Sequence, residues 1–175
     1  MQQRYQFCPY CGGKLYVERK AERPRLTCQS CGRILYENPI VGVAAVVRNA
    51  EGKILLGKRS ETASYAGLWC IPCGYVEYDE EVRQAVCREF YEETGLEIVV
   101  KKVFAVLSNF HNPLVHTVGI WFESEIVSGC LEAGDDLSEV GYFALHEVPP
   151  LAFPTDQIVL DMLKSEQEKI QPLIK

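Results

Sequence analysis

The chain has 175 residues, 47% apolar and 24% charged, which suits a soluble globular domain with a small appendage. No unbroken apolar run is long enough to span a bilayer and MQQRYQF does not read as a signal peptide, so the expected location is cytoplasmic, with no membrane partner. The net charge of −6 is unevenly spread: residues 1–36 hold seven Lys/Arg against two Glu, and residues 37–175 hold eleven against twenty-two Asp/Glu. An acidic main part disfavours extended contact with a nucleic-acid backbone and fits a cation-loaded site, while the basic start leaves a nucleic-acid option open.

Residues 1–36 form the first expected domain. Cys8-x₂-Cys11 is followed sixteen residues later by Cys28-x₂-Cys31, and a glycine follows each pair. Glycine permits a tight turn that aims both thiolates at one ion, so the four cysteines read as a closed, structural Zn²⁺ site. Two disulfides are the alternative, disfavoured by an intracellular location. Residues 14–16 and 26–27 are expected as small strands, which makes this segment a zinc ribbon.

Residues 36–39 (YENP) read as a linker into the second expected domain, residues 37–175. Residues 40–48 (IVGVAAVVR) suit a strand buried on both faces, and residues 53–59 a second strand after the turn at 50–52. Residues 60–67 are loop. Residues 97–110 and 115–126 are expected as a long hairpin turned at His111-Asn112-Pro113. A loop over 127–138 carries Glu132, Asp135 and Asp136, and 139–143 is a short strand. A last helix opens at Phe153-Pro154-Thr155 and runs to about residue 168. The alternation predicts a mixed sheet with helices on both sides, an α/β fold.

Residues 74–96 (GYVEYDEEVRQAVCREFYEETGL) carry the chemistry. Val82, Ala85, Val86 and Phe90 recur at helical spacing, with Asp79 the expected N-cap, Glu80 and Glu81 in the first turn, and Gly95 the stop. At ~100° per residue, Glu89 and Glu93 fall on the apolar stripe of Val82 and Val86, with Glu92 flanking it. A solvated helix would turn its glutamates the other way. Crowded carboxylates on a buried stripe either protonate or take a hard cation, here Mg²⁺ or Mn²⁺.

This stretch resembles the Nudix box, Gly-x₅-Glu-x₇-Arg-Glu-U-x-Glu-Glu-x-Gly-U, with Gly74, Glu80, Arg88, Glu89, Glu92, Glu93, Gly95 and Leu96 at its fixed positions. Phe90 stands where an aliphatic residue is usual, and Cys73 replaces a small residue in the lead-in. The resemblance covers about residues 40–165 and implies the Nudix α/β/α sandwich. It also implies divalent-metal hydrolysis of a nucleoside diphosphate linked to a group X. With the ribbon ahead of it, the chain is similar to the branch of NADH, ADP-ribose and FAD pyrophosphatases. The SQPWPFPxS array of the NADH enzymes has no counterpart after Leu96, and Pro113 lies near the proline of ADP-ribose pyrophosphatases.

By that resemblance Glu89, Glu92 and Glu93, with a carbonyl at or near Gly74, hold the cations. Arg88 and Glu80 hold the acids. The general base is Glu89, Glu132, Asp135, Asp136 or Glu139, with Glu139 the expected acid outside the box. Trp121, Phe110, Trp69 and Tyr65 are candidates for stacking on the base, and Arg59 and Lys58 for meeting phosphates. Cys70 and Cys73 are expected as small, buried or half-exposed thiols. The expected activity is cleavage of ADP-ribose or a dinucleotide such as NADH or FAD. An NADH or NAD-capped-RNA hydrolase and a non-catalytic regulator that senses nucleotides or binds nucleic acid are the alternatives. Homodimerisation is common in the family.

Overall fold

A computed structural model describes residues 5–170. The chain divides into two compact units, Met1–Asn38 and Pro39–Lys175. In the first, β1 (Leu15–Lys20) and β2 (Arg23–Cys28) form an antiparallel hairpin, and β3 (Ile34–Leu35) pairs with the other edge of β2. The hairpin outruns its expected two- and three-residue strands, because pairing continues through polar residues to Lys20 and Arg23, where Ala21 (φ 52) turns the chain. A backbone ladder does not need apolar side chains, so apolar runs understate its length.

Both CxxC segments adopt the same turn. Cys8 N–H donates to Gly13 O at 2.8 Å and Cys28 N–H to Arg33 O at 2.9 Å, while Gly12 and Gly32 donate back to Cys8 O and Cys28 O. Gly12 and Gly32 share φ 70, a backbone that disfavours any Cβ. The four Sγ atoms lie within 4.8 Å of one another. Cys8–Cys31 is 3.9 Å and Cys11–Cys28 is 3.5 Å. Four bonds of ~2.3 Å to a tetrahedral zinc ion impose a spacing of about 3.8 Å, whereas a disulfide needs ~2.05 Å. The amide of Cys31 draws the Cys28 thiol down to about 6. Although the Gly13 amide opposes it, Cys11 is pushed up to about 12 by its neighbours Cys28 and Cys31. Crowded thiols titrate as a set in this way, and the donor set is that of a zinc ribbon.

The second unit contains β4 (Ile40–Val47), β5 (Ile54–Arg59), β6 (Trp69–Cys70), β7 (Cys73–Tyr75), α1 (Val82–Thr94), β8 (Leu96–Asn109), β9 (Thr117–Gly129), β10 (Leu137–Phe143) and α2 (Pro154–Ile170). Its strands form two sheets, β7-β4-β9-β8 and β10-β5-β6. β4 and β9 run parallel within the first sheet, where the other pairs are antiparallel, so that sheet is mixed. Alternation along β4 reveals the layers. Val43, Ala45 and Val47 share a core with Ala85, Val86 and Phe90 of α1, whereas Ala44 and Val46 share one with Val159, Leu160 and Leu163 of α2. The all-apolar strand is therefore buried on both faces between two helices, as an α/β/α arrangement requires. Phe90 is 1% exposed, and truncating such a ring to Ala costs about 3–5 kcal/mol.

Two details of the box differ from the sequence reading. Helix α1 is capped by Glu81 and not Asp79: the Glu81 carboxylate accepts from Arg83 N at 2.7 Å and Gln84 N at 3.3 Å. Glu80 stands ahead of the helix, drawn off by Arg88, and is not a first-turn residue. The other end is as expected, with Gly95 at φ 68 donating to Tyr91 O.

Candidate functional site

The last two turns of α1 lie against β7, and one glycine makes the approach possible. Gly74 pairs with Val43 of β4, and a Cβ on it would come within 1.9–2.3 Å of the Glu89 carboxylate. One turn on, Glu93 is 1% exposed and its Oε2 accepts Cys73 N–H at 2.8 Å. Burial pushes the Glu93 carboxyl well above its ordinary range, Cys70 and Asp136 push it further, and the Cys73 amide opposes them. Burial also raises Glu89, against the pull of Arg88.

Arg88 ties these acids to their surroundings. Its Nε and Nη2 grip both oxygens of Glu80 at 2.8 Å each. Nη1 reaches Glu89 at 2.9 Å and Glu92 at 3.0 Å, and Nη2 donates to Tyr75 O at 3.2 Å. This two-pronged bond to Arg88 lowers the Glu80 carboxyl. One guanidinium thus fixes the segment before the helix, the helix and β7 together.

The loop after β9 docks on the end of α1 by backbone bonds. Glu132 N–H donates to Thr94 O at 2.9 Å and Gly134 N–H to Glu93 O at 3.0 Å. These satisfy carbonyls that a helix end leaves open, and they carry Asp135 and Asp136 to the acids. Asp136 Oδ2 pairs with Arg59 Nη2 at 2.8 Å, while Arg59 Nε donates to Ser64 O at 2.7 Å.

Glu89, Glu93, Gly74, Arg59, Trp121 and both aspartates line a cavity of about 440 Å³. Glu92 lies to its side, its side chain 47% exposed. Five other expected residues, Glu132 and Lys58 among them, do not line the cavity. Glu139 is not in the cavity wall: its side chain is 58% exposed and pairs with Lys58 at 2.7 Å. Phe110, 67% exposed, packs edge-on against His116 at 5.0 Å and does not line the cavity. Trp69 packs on Phe143 in the core. Glu77, His111, Phe153 and Asp156 join the wall and were not expected there. The signal for Asp156 was slight, an acid in the FPTD stretch that opens α2.

Glu89, Glu92, Glu93 and the Gly74 carbonyl offer the hard oxygen donors that divalent cations take, and a cation offsets the burial that raises Glu89 and Glu93. Among the described residues, the four cysteines are the only group of three or more His, Cys, Asp or Glu ligand atoms so close together. Of the three glutamates, Glu89 and Glu92 bond Arg88 and Glu93 bonds the Cys73 amide.

Residues 38–163 match the NUDIX domain, and residues 6–37 match the zinc-ribbon Nudix N-terminal family. The chain belongs to the Nudix family. An ADP-ribose pyrophosphatase of Methanocaldococcus jannaschii is 38% identical over 131 residues, 74% of this chain and 76% of that protein. The NAD-capped RNA hydrolase NudC of Pseudomonas aeruginosa is 30% identical over 146 residues, 83% of this chain, which spans 50% of NudC's length. The crystal structure of a NUDIX hydrolase from Nitrosomonas europaea superimposes with a TM-score of 0.81 at 29% identity, covering 94% of this chain and 93% of that one. The chain is a Nudix hydrolase, and the sandwich and four-cysteine ribbon are those the box and CxxC pairs implied. Among the described residues no helix is long and apolar enough to cross a membrane.

Proposed function

We propose that this Nudix hydrolase cleaves the diphosphate bridge of a nucleoside diphosphate linked to a further group, with ADP-ribose foremost and NADH and FAD as related substrates. One observation carries the reading: Glu89, half-buried against Gly74 and anchored through Arg88 and Glu80, shares one cavity wall with the buried Glu93, which the Cys73 amide holds. The archaeal relative named ADP-ribose pyrophosphatase supports the substrate class. Water adds to one phosphorus, its bond to the bridging oxygen breaks, and ADP-ribose yields AMP and ribose 5-phosphate.

Mg²⁺ or Mn²⁺, held by Glu89, Glu92, Glu93 and the Gly74 carbonyl, supplies neutralisation of the diphosphate charge and acidification of water. Arg88 and Glu80 keep the acids in position. The proton of the attacking water goes to an acid lining the cavity, Asp135 or Glu89, and not to Glu139 with its Lys58 partner. Arg59 and Trp121 face the phosphates and the base. Cys8, Cys11, Cys28 and Cys31 hold a structural Zn²⁺. The protein works in the cytoplasm as a homodimer.

A second reading, hydrolysis of NADH or NAD-capped RNA, is favoured by the NudC relative and by the basic ribbon. Both are tested by offering ADP-ribose, NADH, FAD, nucleotide sugars and NAD-capped RNA with Mg²⁺ or Mn²⁺ and identifying products. The expected result is AMP and ribose 5-phosphate, formed fastest from ADP-ribose. No turnover of any of these substrates would refute the proposal.

A further inference from the structure

Part of the cavity wall carries groups that the hydrolytic chemistry does not use. Trp121 of β9 is 5% exposed, yet among the described residues its Nε1 has no hydrogen-bond partner. A buried donor left unpaired costs about 1–3 kcal/mol. Its position is held open: a Cβ on Gly119 would come within 2.6 Å of the indole ring. Asp156, in the first turn of α2, is 2% exposed and its Oδ2 accepts Ile71 N–H at 3.0 Å. Trp121 stands near enough to favour the Asp156 carboxylate, though Nε1 falls outside hydrogen-bond geometry. Both residues line the cavity.

Three aromatic rings share that wall. Tyr65 meets His111 and Phe153 edge-on with centroids 5.5 Å apart in each case, and His111 and Phe153 are 5.7 Å apart. Tyr65 has φ 61, a left-handed backbone that a tyrosine adopts only where its surroundings impose it.

We propose that Trp121 Nε1 and the Asp156 carboxylate form a donor–acceptor pair that reads the adenine edge of the substrate, with the Tyr65–His111–Phe153 wall against its ring. This rests on the nucleoside diphosphate reading of the catalytic acids. Adenine presents a ring-nitrogen acceptor beside its 6-amino donor. The indole N–H donates to the ring nitrogen, and a carboxylate oxygen accepts from the amino group. Hypoxanthine puts a carbonyl oxygen where the amino group was and, on its N1 edge, an N–H where the lone pair was. Oxygen then faces oxygen and donor faces donor, and buried groups left unmatched discriminate far more strongly than a missing methylene does.

The test is kcat/KM for ADP-ribose and inosine diphosphate ribose, identical at the diphosphate, measured at about pH 8.5, above the value of about 7 to which burial pushes Asp156. One matched pair predicts a preference for ADP-ribose of about 10–100-fold in the wild type. Trp121→Phe keeps an aromatic ring and deletes the donor, so the preference falls towards one. Asp156→Asn can still accept Ile71 N–H while offering an amide N–H that suits the hypoxanthine oxygen, and Trp121 N–H still suits only adenine, so the preference falls towards one. Calorimetric binding of AMP against IMP gives the same comparison without turnover. A wild-type ratio near one, or a ratio that neither variant changes, overturns the proposal. If no nucleoside diphosphate derivative is cleaved but AMP is still chosen over IMP through Trp121 and Asp156, the base-reading pair stands and the hydrolase reading fails.

Discussion

A carboxyl group that is 1% exposed, next to Asp136, sits where its charge is costly. Among the described residues Glu93 accepts one amide in return, and its raised pKa means that ionising it weakens the fold. Glu93→Gln keeps the shape and the acceptor for Cys73 N–H but removes the charge. The expected outcome is a melting temperature at or above the wild type, with kcat for ADP-ribose lowered at least about 100-fold, a separation that follows when a strained residue serves function. Thermal melts and steady-state rates read both. Asp135 and Glu139 make a second comparison. Asp135→Asn is expected to lower kcat by about 10²–10⁴ as the loss of a general base does, and Glu139→Gln to leave it within about twofold, since that side chain faces solvent beside Lys58. A larger loss in Glu139→Gln than in Asp135→Asn would return the base to β10, and no loss in either would leave Glu89 as the base. Glu89 and Glu93 were legible because helical period alone set them on the apolar stripe. Asp156 was not, because its role depends on Ile71 and Trp121, 85 and 35 positions away, and spacing carries no trace of them.

Helix α1 owes its placing to both of its ends. Gly95 combines φ 68 with a close neighbour, since a Cβ there would meet Cys130 O at 2.5 Å. Gly95→Ala is therefore expected to cost about 1–3 kcal/mol, the strain of a left-handed alanine plus the displacement of Cys130. The same displacement lifts the loop that bonds Thr94 O and Glu93 O, so activity should fall further than a surface change of equal stability cost; denaturant midpoints and rates separate the two effects. The helix and its glycine stop could be read from sequence. Its cap could not, because propensity favours Asp79 while the carboxylate geometry selected Glu81 once Glu80 was committed to Arg88. Strands β6 and β7, two and three residues long, exist through pairing with β5 and β4 and are too short to show a period of their own.

Over the whole molecule, pH and metal act on different units. Burial raises the Asp156 carboxyl from 3.8 to about 7, so between those values the native protein binds a proton that the unfolded chain releases. That contribution to stability is complete below 3.8 and fades as pH rises to 7. Asp156→Asn should flatten the plot of unfolding free energy against pH across this window, leaving the slope due to Glu93, which is shifted the same way. Metal removal concerns the other unit. Its buried hydrophobic cluster is Cys8, Leu15, Leu26 and Cys28, with Leu35 packed against it, so two of the four members of that cluster are themselves metal donors. A core this small cannot offset chain entropy unaided, and ion binding then becomes folding free energy. The cores on either side of β4 lie wholly within residues 39–175 and contain none of these cysteines. A strong chelator is thus expected to release about one zinc per chain and to open the ribbon amides to hydrogen exchange. Protection along β4, β9 and α1 should survive. Catalysis should return on adding back Mg²⁺ or Mn²⁺ alone if the ribbon is structural. Zinc content near zero would remove the ribbon assignment, and simultaneous loss of protection in both units would show that the ion stabilises the whole chain.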